Sequence, residues 1–215
     1  MRGMPGRLAA VARRIPRAVP LLPDDIAPSP PAAMAAWIDE ARATAQPQPT
    51  AMALATAGRD GQPSNRMVFV REWGAQGVAW LTDGRSRKAR EATERPYAAG
   101  VLFWPGLGRQ LRLEGALHLL PRPELDAMFA ARRPAARAAA WAWQQGEPID
   151  TRADLLRRLA AARPAAERPT APPEWIGQRL EPMAIEFWQE DPDGLHDRLR
   201  AVRDSGGWSL TRIAP

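Results

Sequence analysis

Arg85, Arg87 and Lys88 put three cations within four residues, and Ser86 among them has the side chain of a helix N-cap. A helix that starts here presents unpaired N–H groups and a partial positive charge, to which Arg and Lys add unfavourably unless an anion compensates. That conflict points to a phosphate site. A solvated basic turn would carry the same residues, and on their own they leave both readings open. Just upstream, Met67, Val68, Phe69 and Val70 are apolar in succession between Arg66 and Arg71. Such a run reads as a strand buried on both faces, because a half-solvated strand alternates apolar and polar residues. A glycine-containing turn and a second strand over 78–82, ending in Leu81 and Thr82, lead into the basic helix.

The composition limits the chemistry further. The 215 residues contain no Cys and only two His, His118 and His196, which excludes disulfides, thiolate metal sites and cysteine nucleophiles and disfavours a His-rich metal site. Redox chemistry would need an organic cofactor. Of the net charge of +6, five charges come from Arg2, Arg7, Arg13, Arg14 and Arg17, so the rest of the chain is nearly neutral. No apolar run approaches the roughly 20 residues that span a bilayer, and a cytoplasmic protein is expected. Residues 1–30, basic and then proline-rich, are expected to be a flexible arm, with residues 31–215 forming one domain.

The elements that must position these residues follow from periodicity. Met34, Trp37, Ile38 and Ala41 recur at helical spacing after Pro30 and Pro31. Strands are expected over 51–57, 64–71, 78–82, 97–104 and 109–119, joined mostly by short Gly-containing turns. This is an antiparallel sheet that closes into a barrel to remove its edges. Ala-rich helices over 124–132 and 135–143 and a third over 151–162, with Leu155, Leu156 and Leu159 on one face, make a smaller helical region. Strands over 183–188, 196–203 and 208–213 close the chain.

Five passages in this order carry a resemblance: PTAMALAT at 49–56, the 66–71 strand, SRK at 86–88, GRQLRLEG at 108–115, and the ending EFWQ, LHDRL, LTRIAP. Together they resemble the pyridoxamine 5′-phosphate oxidase family. The resemblance implies an α+β, mainly β fold, the antiparallel FMN-binding split β-barrel, in a homodimer with FMN at its interface. It implies that Arg66, Arg87 and Lys88 hold the FMN phosphate, and that Met67, Val68, Phe69, Val70, Arg71, Leu81 and Thr82 line the flavin. Gln110 would hydrogen-bond the isoalloxazine edge, with Gln145, Gly146, Trp188 and Arg198 also in contact; Gly146 stands where the family usually has Ser.

The substrate side departs from the family. Where the family holds the substrate phosphate with Lys, Tyr, Arg and Ser, this chain has Arg71, Met128, Arg132 and Ala136, so two hydroxyl donors are gone. Arg133 could take the place given to Arg132. The family's Arg-Leu-His-Asp-Arg reads Gly194-Leu195-His196-Asp197-Arg198 here. The first guanidinium is missing while His196 remains to orient the substrate together with Arg71. The resemblance therefore implies an FMN-dependent oxidase, passing a hydride from substrate to flavin N5 and electrons on to O2 to give H2O2. Its substrate would be pyridoxine or pyridoxamine 5′-phosphate, or another small reduced N-heterocycle, as in the related oxidases of phenazine biosynthesis. A flavin-binding module without turnover and a nucleic-acid binder acting through the N-terminal arginines are the alternatives from other classes; neither nucleic acid nor a membrane is the expected partner.

Overall fold

A computed structural model describes residues 19–215; the basic residues at 2–17 lie outside the described part. Helix α1 (Pro30–Ala43) starts at Ser29, whose hydroxyl accepts from the Ala32 N–H, and buries Met34, Trp37, Ile38 and Ala41, the residues expected on its inner face. Strand β1 (Ala51–Ala57) alternates small residues with Met52, Leu54 and Thr56, which are buried. It pairs antiparallel with β2 (Pro63–Phe69) and with β5 (Tyr97–Trp104). The sheet continues through β6 (Arg109–Leu119) to β7 (Trp175–Gln189), a strand of 15 residues.

β7 is where the sheet divides. Its first half pairs with β4 (Gly77–Asp83), and its second half with β8 (Asp197–Asp204), which is itself paired with β9 (Gly207–Arg212). Between the halves the register with β6 shifts at Glu114/Gly115, leaving Met183 as the extra residue of a bulge. Bulges bend a strand and increase its twist, so this one turns β7 from one half of the sheet into the other. The approach is close: a Cβ at Gly115 would lie 1.9 Å from the Glu181 carbonyl oxygen, so only glycine fits. The barrel is closed by the chain leaving β2, where Val70 N–H donates to Thr50 O (2.9 Å) and Arg71 N–H to Ala79 O (2.8 Å).

Four expectations are corrected. The 78–82 strand does not pair with β2; it forms a hairpin with a three-residue strand, β3 (Glu72–Gly74), too short to show a pattern. The last sheet segment begins at Trp175 rather than near 183, its first half being masked by polar residues and Pro182. Residues 19–29, expected to be part of a flexible arm, pack: Leu21 and Ile26 are in the core, and Leu21 N–H donates to Asp197 Oδ2 (2.9 Å). Val68 and Val70 are buried, but Met67 and Phe69 are 59% and 46% exposed, so β2 is covered on one face only in the single chain.

Between β4 and β5 lies α2 (Arg87–Glu94), and after β6 come α3 (Arg122–Ala130), α4 (Pro134–Ala142) and α5 (Arg152–Ala162). α5 is capped by Thr151 as expected, yet it buries none of its residues, and Leu156 faces out. A second apolar cluster, Leu125, Phe129, Ala140, Ala171 and Trp175, joins α3 and α4 to the end of the barrel. Among the described residues no helix is long and apolar enough to cross a membrane.

Candidate functional site

The start of α2 is tied to the β1–β2 hairpin by one carboxylate. Thr56 and Ser64 are register partners, as are Leu54 and Arg66, so these polar residues share a face toward the helix. Glu91 accepts from Thr56 Oγ1 (2.6 Å), Ser64 Oγ (2.5 Å), Arg87 Nε (2.7 Å) and Arg66 Nη2 (3.3 Å). Arg66 also donates to Leu54 O (3.2 Å), Thr56 Oγ1 (2.6 Å) and Ser64 Oγ. Burial disfavours the charged form of Glu91, but the hydrogen bonds from Ser64, Thr56 and Arg87 outweigh it and hold the carboxyl at about 2. Since its ordinary value is 4.5, the stability Glu91 contributes is complete above that pH and is lost as pH falls toward 2. Denaturant titrations across this range should show a loss of stability in the natural chain that is absent in Glu91→Gln; parallel pH profiles would contradict this.

Beside this junction is a cleft of about 160 Å³, lined by Met67, Val68, Phe69, Arg71, Leu81, Lys88, Arg132, Gln145 and Trp175. Ser86 begins α2 but makes no side-chain cap; its hydroxyl instead accepts from Lys88 Nζ at 3.1 Å. Lys88 Nζ also donates to Gln145 Oε1 (2.9 Å), which accepts from Thr82 Oγ1 (3.0 Å) as well. Burial, and then the Arg66 cation, lower the Lys88 ammonium to about 8. The third cation of the motif is spent elsewhere: Arg85 forms a two-pronged pair with Asp83 (3.0 and 2.8 Å), whose other role is to accept from the Gln145 N–H (3.1 Å).

Arg132 lies over the rings of Trp175 (4.5 Å) and Phe129 (5.5 Å). Its Nη1 is buried with no hydrogen-bond partner among the described residues, and burial together with the Arg71 cation lowers it to about 10. A buried donor left unpaired costs on the order of 1–3 kcal/mol, and an anion at this end of the cleft would satisfy it. Arg133 is exposed on the α3–α4 connection, whereas Arg132 lines the cleft. Met128 and Ala136 are half-buried on α3 and α4 and do not line the cleft.

Gln110, Trp188, Arg198 and His196 form a second cluster. Gln110 and Arg198 flank Trp188 as register partners on β6, β7 and β8. The imidazole of His196 lies 5.0 Å from the Trp188 ring and its Nδ1 accepts from the Asp191 N–H (3.1 Å), so in the neutral ring the proton is on Nε2. Arg198 donates to the buried Glu186 (2.8 and 3.1 Å), which also accepts from Arg112 (3.0 Å). Gly194 closes the turn before His196 at φ +83°, where a Cβ would meet nothing within 4 Å, and Gly146 has φ +84°. An arginine at Gly194 would have room, at a backbone cost of roughly 1–2 kcal/mol.

Between the two clusters runs one open sheet face. Met67, Ala53, Val101, Arg112, Glu186 and Arg200 follow one another as register partners across six strands. On the same face Phe69, Tyr97 and Phe103 are about half exposed, an apolar band of the kind that marks a protein interface. The cleft with Lys88, Arg71 and Arg132 adjoins this face at Met67 and Phe69, and Gln110, Trp188 and Arg198 continue the face on β6, β7 and β8.

Residues 38–164 match the family model described as pyridoxamine 5′-phosphate oxidase, and residues 175–215 match that of the pyridoxine 5′-phosphate oxidase C-terminal dimerisation region. The chain belongs to the pyridoxamine 5′-phosphate oxidase family. Within it, a pyridoxine/pyridoxamine 5′-phosphate oxidase of Burkholderia ambifaria is 42% identical over 89% of this chain and 91% of its own length. One of Bordetella petrii is also 42% identical, over 91% and 93%. Among solved structures, PhzG from Burkholderia lata in complex with tetrahydrophenazine-1-carboxylic acid superposes with a TM-score of 0.82 at 32% identity, covering 91% of this chain and 98% of that one. An FMN-binding protein related to pyridoxamine 5′-phosphate oxidase from Nostoc punctiforme has the same fold, with a TM-score of 0.71 at 24% identity over 85% and 96%. The forked antiparallel sheet is the split barrel of this family, and its C-terminal strands are the dimerisation region.

Sequence reasoning missed Glu91, Thr56, Ser64 and Trp175. The alternation of Ser64 and Arg66 on β2, opposite Thr56 on β1, was the available signal for a polar pocket under α2.

Proposed function

We propose that this protein is an FMN-dependent oxidase whose flavin lies between two copies of the chain. The observation that carries the reading is the pair of incomplete sites on either side of one exposed apolar face: Lys88, Arg71 and Arg132 at one end, Trp188, Arg198 and His196 at the other. A second copy seated on that face, as the dimerisation region supports, would supply each copy with what it lacks. Arg87 and Lys88 fit a phosphate monoester, because Lys88 is held toward the cleft by neutral oxygens alone, those of Ser86 and Gln145. Arg66 has both terminal nitrogens engaged by protein groups, so its part is to support the pocket and to add charge. Trp188, Gln110 and Arg198 would meet the ring system from the other copy.

When bound, FMN would supply the redox chemistry, as acceptor of the substrate's hydride and donor of electrons to dioxygen, with hydrogen peroxide as the product. The chain supplies position. Arg132 and Arg71 would bind an anionic group of the substrate, and the apolar walls Met67, Phe69 and Leu81 exclude water from the ring. His196, with its Nε2 proton, would donate a hydrogen bond to a ring substituent. No side chain in the cleft is placed as a strong base, and an exchangeable substrate proton can pass to water.

Relatives of 42% identity support pyridoxine or pyridoxamine 5′-phosphate as the substrate. Gly194, with open space around it, favours a second reading in which the pocket takes a larger reduced N-heterocycle bearing an anion. The test is a visible spectrum taken without oxygen. Bleaching of the flavin band by pyridoxine 5′-phosphate, with recovery and peroxide on aeration, supports the first; a band that ignores it but bleaches with a reduced phenazine carboxylate supports the second. A flavin that no reduced heterocycle bleaches would overturn the oxidase reading.

A further inference from the structure

Glu91 takes no part in the chemistry above, although its carboxylate accepts four hydrogen bonds beside the cleft. It is buried, and it draws donors from three elements: Thr56 on β1, Ser64 and Arg66 on β2, and Arg87 on α2. Its ion pair with Arg87 is spaced i,i+4, which on an exposed helix would contribute little. Here the carboxylate is enclosed, so the pair fixes a guanidinium whose side chain is otherwise 61% exposed. The pair engages Nε, the inner nitrogen of Arg87, and not its terminal ones. A guanidinium held this way keeps its terminal edge for a two-pronged contact with a phosphate. The charges also balance: Arg66, Arg87 and Lys88 against Glu91 leave two positive charges, the complement of a phosphate monoester near neutral pH.

We propose that Glu91 is a positioning residue for the flavin phosphate: it orients Arg87 and anchors Arg66, and so makes the pocket selective for a phosphorylated flavin. The inference rests on the FMN reading and goes beyond it, because Glu91 itself touches no flavin. A carboxylate next to an anion site would by Coulomb's law alone weaken binding. The geometry argues that orientation outweighs that repulsion, since an exposed arginine without its partner samples many rotamers, each of which must be given up on binding.

The test is titration of the full-length, flavin-stripped dimer with FMN and with riboflavin, following flavin fluorescence. Glu91→Gln, which keeps the size and one acceptor, is expected to weaken FMN about tenfold or more, the scale of one charge-assisted contact, while riboflavin changes less than about twofold. In an Arg87→Ala background the same change is expected to have little further effect on FMN, because its route is through Arg87. Equal weakening of both flavins would show a merely structural role, and full additivity with Arg87→Ala would show that Glu91 does not act through it; either overturns the proposal, as does tighter FMN binding. If Glu91→Gln does not fold, Thr56→Val removes one donor and leaves every charge, and should give a smaller loss confined to FMN; unchanged FMN affinity would overturn the idea. Should the natural chain itself not prefer FMN to riboflavin, the FMN reading fails first, independently of Glu91.

Discussion

Replacing Arg87 and Lys88 together by alanine is expected to give a folded protein that purifies without flavin. On the proposed reading each would contribute a charge-assisted contact to the phosphate worth about 1.5–3 kcal/mol, so losing both should weaken FMN by roughly 10²–10⁴-fold. The fold should survive. Glu91 keeps Thr56, Ser64 and Arg66 as donors, and removing Lys88 relieves an ammonium that burial already lowers to about 8. Absorbance of the purified variant near the flavin band, with circular dichroism as the folding control, is the check. A folded variant with the full flavin content would place the phosphate elsewhere.

Arg132→Met is expected to move stability and substrate binding in opposite directions. Arg132 has a buried Nη1 without a hydrogen-bond partner among the described residues and lies over the Phe129 and Trp175 rings, with Arg71 as the charge that lowers it further. Breaking no salt bridge, the change to an apolar side chain of similar length removes a desolvated charge at the cost of two cation–π contacts of about 0.5–2 kcal/mol each. The flavin-free protein should therefore melt at the same temperature or a few degrees higher, about 2–4 °C for each kcal/mol gained. The apparent KM for an anionic substrate should rise by about two orders of magnitude, with a smaller effect on kcat, because the lost contact is made in ground and transition state alike. A KM that stays constant while the melting temperature falls would show that Arg132 is structural.

How far the sequence led can be traced in particular elements. β1, β5 and β6 have the bounds expected from alternation and turn residues, because each is sandwiched between two neighbours and its inner residues are apolar. The helix over 30–43 was legible for the same reason, a periodic stripe against one core. The apolar run at 67–70 predicted burial on both faces, whereas in the single chain Val68 and Val70 are buried and Met67 and Phe69 are exposed; on the proposed reading a second copy covers them. The start of β7 was hidden because Gly177, Gln178, Arg179 and Glu181 interrupt any alternation, and because the bulge at Met183 reverses which residues face inward. Of the site, the cations and Gln145 could be read from the motif. The Trp175 ring over which Arg132 lies, and Thr56, Ser64 and Arg66 as donors to Glu91, depend on contacts between elements distant in sequence, which no local spacing encodes; the Asp83–Arg85 pair is local, two residues apart.

Whether each flavin is held by two copies of the chain is tested most directly with mixed dimers. One copy would carry Arg87→Ala and Lys88→Ala, its partner Trp188→Ala and Arg198→Ala, and each pair of changes should by itself leave homodimers without flavin. If the two clusters come from different copies, a mixed dimer purified through two distinct tags contains one intact site and one doubly damaged site. One FMN per mixed dimer is expected, half the content of the natural protein. Mixed dimers that bind none would show that each flavin is held within a single chain, and would contradict a shared site.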